Sequence, residues 1–155
     1  MAQSFPNSRF TGYDFSEDGI AAANGRARGR SLANIRFAVQ EASMLDEQVQ
    51  YDLICTFDAI HDQAQPARAL RNISAAPRSD GVYLMQDIRA SSHLEKNLDH
   101  PAGPFLYTVS YMHGMTVSLA LGGAGLGTMW GEEAALRMLA EAGFTEVAVH
   151  HLAHD

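Results

Sequence analysis

The chain has 155 residues, 46 % of them apolar, which is enough for one domain with a buried core. Charged residues make up 19 % and the formal net charge is −7, so phosphate backbones repel the chain and nucleic acid is not its default partner. No run of about 20 apolar residues occurs, so no membrane-spanning helix is expected, and Met1 to Pro6 lacks the charged and apolar regions of a secretory signal.

The first periodic segment, Arg9 to Asp14, alternates and is aromatic-rich, which predicts a short strand. Ser16 follows as a helix N-cap with Glu17 and Asp18 in the first turn, and the helix runs from Ile20 to about Arg28. Arg26, Arg28 and Arg30 suit the C-terminal end of its dipole and read as a solvated helix end. Residues 35–39 alternate again and predict a second strand. Tyr51 to Phe57 is continuously apolar after a polar loop, as in a strand buried on both faces of a parallel sheet. Within it, Cys55 is the sole cysteine, so it makes no internal disulfide and reads as a core thiol; a cytoplasmic location is expected.

Pro66 opens a helix carrying Leu70 and Ile73 on one side. Asp80-Gly81 predicts a turn, and Val82 to Met85 a fourth strand that ends at Asp87. A long polar stretch from Arg89 to Pro104 is either mobile or functional. The apolar, Met-rich run from Phe105 to Leu121 is interrupted by Gly122-Gly123-Ala124-Gly125-Leu126-Gly127. Glu132 to Ala142 reads as a helix with Gly143 at its C′ position, and Phe144 to Val149 as the last strand. Strands alternating with helices predict a single α/β domain over residues 1–155, with a mainly parallel sheet and helices on both faces. Ligands in such sheets bind beyond the C-terminal strand ends, which directs attention to Asp14, Glu41, Asp58 and Asp87.

Four segments together resemble class I S-adenosylmethionine-dependent methyltransferases. Phe10-Thr11-Gly12-Tyr13-Asp14-Phe15-Ser16 resembles the second strand and its terminal acidic residue. Residues 52–62, Asp-Leu-Ile-Cys-Thr-Phe-Asp-Ala-Ile-His-Asp, resemble the fourth strand and its loop. Arg78-Ser79-Asp80-Gly81-Val82-Tyr83-Leu84-Met85 resembles the turn into the fifth strand, and Ala142-Gly143-Phe144-Thr145-Glu146-Val147 the turn into the sixth. His61-Asp62 and the run from Thr116 through Gly131 are similar to bacterial methyltransferases with an N-terminal winged-helix domain, whose substrates are mostly unassigned.

The resemblance implies a Rossmann-like fold, S-adenosylmethionine as cofactor and a small-molecule acceptor. It also exposes departures. The family's Gly-x-Gly-x-Gly strand has no counterpart before the first segment, and no closing seventh strand follows the sixth. The expectation is a domain cut short at both ends, whose open edges invite self-association or a missing N-terminal segment.

The resemblance also distributes roles. Asp14 would accept the ribose hydroxyls, or it serves as a turn and capping residue. Tyr13 and Phe15 would flank the cofactor or belong to the core. Glu41 and Ala42 would lie near the adenine or in a solvated loop. Phe57 and Asp58 would line the methionine part and the methyl-transfer point. His61 would act as general base or bind the acceptor, with Asp62 either orienting it or capping the helix at Pro66. Tyr107, Tyr111, His113 and Trp130, with Met112, Met115 and Met129, would line an apolar acceptor pocket or form plain core.

Two further patterns compete. Gly123 to Gly127 spells Gly-x-Gly-x-Gly after Val117 to Leu121, which a circularly permuted domain would show. No acidic residue ends that run, however, and the other motifs keep the unpermuted order, so a lid or substrate loop is the better reading. His150, His151, His154 and Asp155 are ligand types without a second cluster, and no metal is expected. The expected function is methyl transfer to a small, fairly apolar acceptor; the alternative is a binding or scaffold domain that kept the fold and lost the cofactor loop.

Overall fold

The computed structural model describes residues 1–152. Two compact units divide the chain, Met1–Leu45 and Asp46–Asp155.

The first unit is built from β1 (Phe10–Asp14), α1 (Glu17–Gly29) and β2 (Ile35–Val39). Ser16 caps α1 as its sequence predicts: its Oγ accepts the Gly19 N–H at 3.0 Å, and Glu17 and Asp18 fill the first turn. The helix is the crossover that two parallel strands need, and β1 pairs with β2 from Phe10 opposite Ile35 to Asp14 opposite Val39. Gly12 is required for this pairing: a Cβ there would stand 2.5 Å from the Phe37 ring. Ile20 and Ala27 turn the buried side of α1 inward.

The second unit begins with β3 (Tyr51–Phe57), α2 (Pro66–Ala75) and β4 (Pro77–Gln86), again strand, helix and parallel strand. Pro66 occupies the first turn of α2, and Ala69, Leu70 and Ile73 are buried along one face. Full burial of a leucine or isoleucine is worth about 1.5–3 kcal/mol each, so this face anchors the unit. The register is Tyr51 opposite Pro77, then Leu53 opposite Val82, so residues 78–81 bulge out of β4. Asp80 and Gly81, expected as a turn, lie instead within β4 at that irregularity, where a Cβ on Gly81 would stand 2.7 Å from the Tyr51 carbonyl oxygen.

β3 departs from the expectation of burial on both faces, because Leu53 and Phe57 are 47 % and 57 % exposed. Among the described residues four strands form two sheets of two strands each, and so small a sheet leaves part of its faces to solvent.

The apolar run becomes helix: α3 (Gly103–Val109), a π-helical turn (Ser110–Gly114) and α4 (Met115–Ala120) follow without interruption. Residues 117–121 are therefore no strand, and the circularly permuted reading of the glycine run fails. α5 (Glu132–Glu141) closes in a Schellman motif, with Phe144 N–H on the Leu139 carbonyl, Gly143 N–H on that of Ala140, and Gly143 at φ +100°. Residues 144–149 form no strand, contrary to their alternation. No described segment supplies a ladder beside them, and Phe144 instead stacks on Tyr83 with ring centroids 5.3 Å apart. Among the described residues no helix is long and apolar enough to cross a membrane.

Candidate active site

The loop after β3 carries Asp58, His61 and Asp62, which gather near Asp87 past the end of β4. Asp58 continues the strand's hydrogen bonding, its N–H reaching the Gln86 carbonyl at 3.0 Å, and then turns left-handed at φ +48°. A non-glycine residue rarely holds that conformation unless its surroundings impose it. Ile60, almost completely buried, pins the loop, and His61 follows it inward with only 3 % of its side chain exposed.

Asp87, just past the end of β4, meets His61 there. Its carboxylate accepts the Ile88 N–H at 2.8 Å and lies 3.0 and 3.2 Å from His61 Nδ1 through its two oxygens. A carboxylate only accepts, so Nδ1 carries the proton. The opposite ring nitrogen, Nε2, faces Asp62 Oδ1 at 3.6 Å. That oxygen is buried and has no hydrogen-bond partner among the described residues. Asp62 does not cap α2, whose N-cap is Gln65.

The electrostatics follow from this crowding. Burial pulls the His61 pKa down, but the hydrogen bond that Nδ1–H donates to Asp87 and the charges of Asp87, Asp62 and Asp58 outweigh it, so the ring holds its second proton above the ordinary histidine value. Asp58 is pushed up, first by burial and then by Asp87 and Asp62, against the lowering effect of His61. Asp58, His61 and Asp87 each offer a donor atom, all within 4.8 Å of one another. The His61 nitrogen on that side is already committed to Asp87, so the group reads as a hydrogen-bonded dyad beside two further carboxylates. Cys55 plays no part in it, since burial pushes its thiol up and away from the reactive thiolate.

The glycine run braces this loop from behind. Ser118 Oγ donates to the Gln63 carbonyl at 3.2 Å and accepts the Gly125 N–H at 3.1 Å, while Ala124 N–H reaches the Ala64 carbonyl at 3.0 Å. A Cβ on Gly123 would stand 2.5 Å from Ala64 Cα, so only glycine permits the approach. In the π turn, a Cβ on Gly114 would stand 2.6 Å from Asp62 Oδ1. π-Helical turns are often found at functional sites, and this one makes room for a carboxylate.

Comparison with known proteins gives this arrangement a context. The sequence model described as "Methyltransferase domain" matches residues 1–143. The chain belongs to that family. Among solved structures, a Nostoc punctiforme protein described provisionally as an O-methyltransferase is similar at TM-score 0.71 and 22 % identity, over 96 % of this chain and 42 % of its own. A Bacillus halodurans protein, provisionally a methyltransferase, is similar at TM-score 0.69 and 18 % identity, over 92 % and 57 %. PigF, solved with SAH, is similar at TM-score 0.71 and 18 % identity, over 97 % and 42 %. These likenesses establish the shared α/β fold, and the chain spans 42 % to 57 % of the length of these three proteins. Among curated proteins, none matches the chain.

The other residues expected at a methyltransferase site fall as follows. In the first unit, Tyr13 and Asp14 end β1, and Asp14 Oδ1 accepts the Ser16 N–H at 2.8 Å, so its turn role is realised. Phe15 stands 62 % exposed beside it and is not core. Glu41 accepts the Ser43 hydroxyl at 3.2 Å, and Ala42 opens a short 3₁₀ turn. In the second unit, Phe57 ends β3 and Asp58 follows it in the loop that carries His61. Tyr107 accepts from Asn97 Nδ2 at 2.8 Å, Tyr111 and His113 are exposed on the π-interrupted helix, and Trp130 is buried. His151 Nε2 lies 2.7 Å from Glu132 Oε2, whereas His154 and Asp155 lie outside the described residues. No role was expected of Asp87, one of the strand-end acids singled out, nor of Gly114 or Ser118. Asp87 had a signal, as an acid just past a strand's C-terminal end; the other two are defined by long-range contacts alone.

Proposed function

We propose that the protein transfers a methyl group from S-adenosylmethionine to a small, fairly apolar acceptor. The observation that carries this reading is the buried His61–Asp87 pair, flanked by Asp58 and Asp62 at the C-terminal ends of β3 and β4. Parallel α/β sheets place their chemistry at those ends, and family membership supports the same reaction class. That PigF was solved with SAH supports the choice of cofactor. When bound, the cofactor supplies an electrophilic sulfonium methyl group.

The chain's residues suit that group. Asp14, at a strand end with the exposed Phe15 ring beside it, would take the ribose hydroxyls. Tyr13 would flank the cofactor, Glu41 and Ala42 would lie at the adenine, and Phe57 and Asp58 at the methionine part. Tyr107, Tyr111, His113 and Trp130 would serve the acceptor. Proton removal belongs to the His61 cluster. The family match runs through both compact units, which supports reading them as one domain. We take the protein to act in the cytoplasm, and its open strand edges to be covered by a further segment or a second copy. Concentration-independent monomer in light scattering would count against the second copy.

The test of the reaction is transfer of radiolabel from methyl-labelled cofactor to a panel of small apolar hydroxy compounds. A placed acid–base group contributes about 10²–10⁴-fold. His61→Ala is expected to lower turnover by about 10²-fold while cofactor affinity stays within about twofold. Equal turnover for both proteins across neutral pH would remove His61 from the mechanism.

A further inference from the structure

A side chain that is 3 % exposed is badly placed to touch a small molecule; His61 Nδ1 is held by Asp87 at 3.0 Å, and Nε2 faces the buried Asp62 Oδ1 at 3.6 Å. Asp62 is different. Its Oδ1 is buried against His61, yet 39 % of its side chain is exposed, so the exposure lies on the side of its other oxygen. The three residues thus form a line from the end of β4 outward: Asp87, His61, Asp62, solvent. Gly114 in the π turn lets the inner oxygen of Asp62 seat itself.

Resting on the methyltransferase reading, we propose that Asp62, not His61, is the catalytic residue that meets the acceptor, with His61 and Asp87 behind it as positioning residues. With Nδ1–H given to Asp87, a neutral ring would aim the Nε2 lone pair at the Asp62 anion, which is repulsive. A second proton converts that contact into an ion pair, and the neighbouring carboxylates Asp58, Asp62 and Asp87 favour it. A ring holding both protons has no lone pair with which to act as a base. The group left to accept a proton is the outward oxygen of Asp62.

A carboxylate is a weak base, but an acceptor hydroxyl grows steeply more acidic as its oxygen gains a bond to carbon, so placement matters more than basicity. Asp62 takes the proton as the acceptor's O–H bond breaks. The bonding pair stays on the acceptor oxygen, a new O–H bond forms on Asp62, and the proton later passes to water; the oxygen's new bond would be to the transferred methyl carbon, whose former bonding pair would stay on the sulfur of a neutral thioether. The imidazolium behind it holds the carboxylate in one orientation through turnover.

Two measurements on the full chain test this without an acceptor. Carbodiimide with glycine ethyl ester, read by peptide mass spectrometry, is expected to modify Asp62 and spare Asp87. Nitrogen-15 NMR of the histidine side chains is expected to show both His61 ring nitrogens protonated at neutral pH, with Asp62→Asn lowering the pH at which the second proton is lost. An unreactive Asp62, or a neutral His61 with a bare Nε2 in the wild type, overturns the proposal and makes the imidazole the base. Neither readout involves the cofactor. Failure here with cofactor binding intact sinks only this assignment, whereas absent cofactor binding sinks the methyltransferase reading.

Discussion

Gly114 and Asp62 exclude one another's side chains: Asp62 Oδ1 lies 2.6 Å from the point where a Cβ on Gly114 would stand. The glycine is helical at φ −56°, so backbone freedom does not explain it; space for the carboxylate does. Gly114→Ala is expected to displace Asp62 and lower turnover by about tenfold or more. In a helix, alanine is otherwise favoured over glycine by about 0.5–1 kcal/mol, so thermal unfolding should shift little. Full turnover in the alanine variant would mean that Asp62 need not sit where it does.

The Asp87–His61 bond predicts a pH dependence with a definite sign. His61 binds its proton more tightly folded than unfolded, so its contribution is complete below the unfolded value of 6.5 and fades as pH rises through the elevated folded value. Asp87→Asn keeps an acceptor for Ile88 N–H but removes the charge. Urea unfolding should show a larger stability deficit for the variant at about pH 6 than at about pH 9. A deficit that grows with pH would contradict the assignment.

Glu133 predicts the opposite sign in another place. The Ser92 N–H at 2.7 Å, the Ser91 hydroxyl at 2.8 Å and Lys96 at 3.3 Å converge on its carboxylate, the bond from Ser92 leading, and bring its pKa down to about 2. Its hold on the loop is therefore present above 4.5 and lost as pH falls toward about 2. Glu133→Gln is expected to speed amide exchange at Ser92 near neutral pH. Unchanged exchange would show that the loop is held without Glu133, by the bonds of Asn97 to Ser91 and of the Ser92 hydroxyl to Trp130 and Ala134.

Local signals in the sequence were realised where local chemistry decides. Ser16 caps α1, Pro66 opens α2 and Gly143 ends α5 as their types predict. Residues 144–149 alternate like a strand but lack a ladder, because strand formation needs a neighbour that alternation cannot supply. The π turn at Ser110–Gly114 carries no local mark at all. His61 was legible as a candidate, yet its partner lies 26 residues away on another strand end, so the nearer Asp62 took the orienting role in sequence reasoning. Gly123 to Gly127 spells Gly-x-Gly-x-Gly, the pattern a circularly permuted domain would show; the structure uses Gly123 and Gly125 for close packing against Ala64 and Ser118.

Calorimetry with S-adenosylmethionine tests most directly the proposal that this chain belongs to a working S-adenosylmethionine-dependent enzyme. The expected result is binding in the micromolar range, about −8 kcal/mol, weakened by about tenfold or more in Asp14→Ala. No heat of binding from the folded protein, or equal affinity in the wild type and Asp14→Ala, would contradict it.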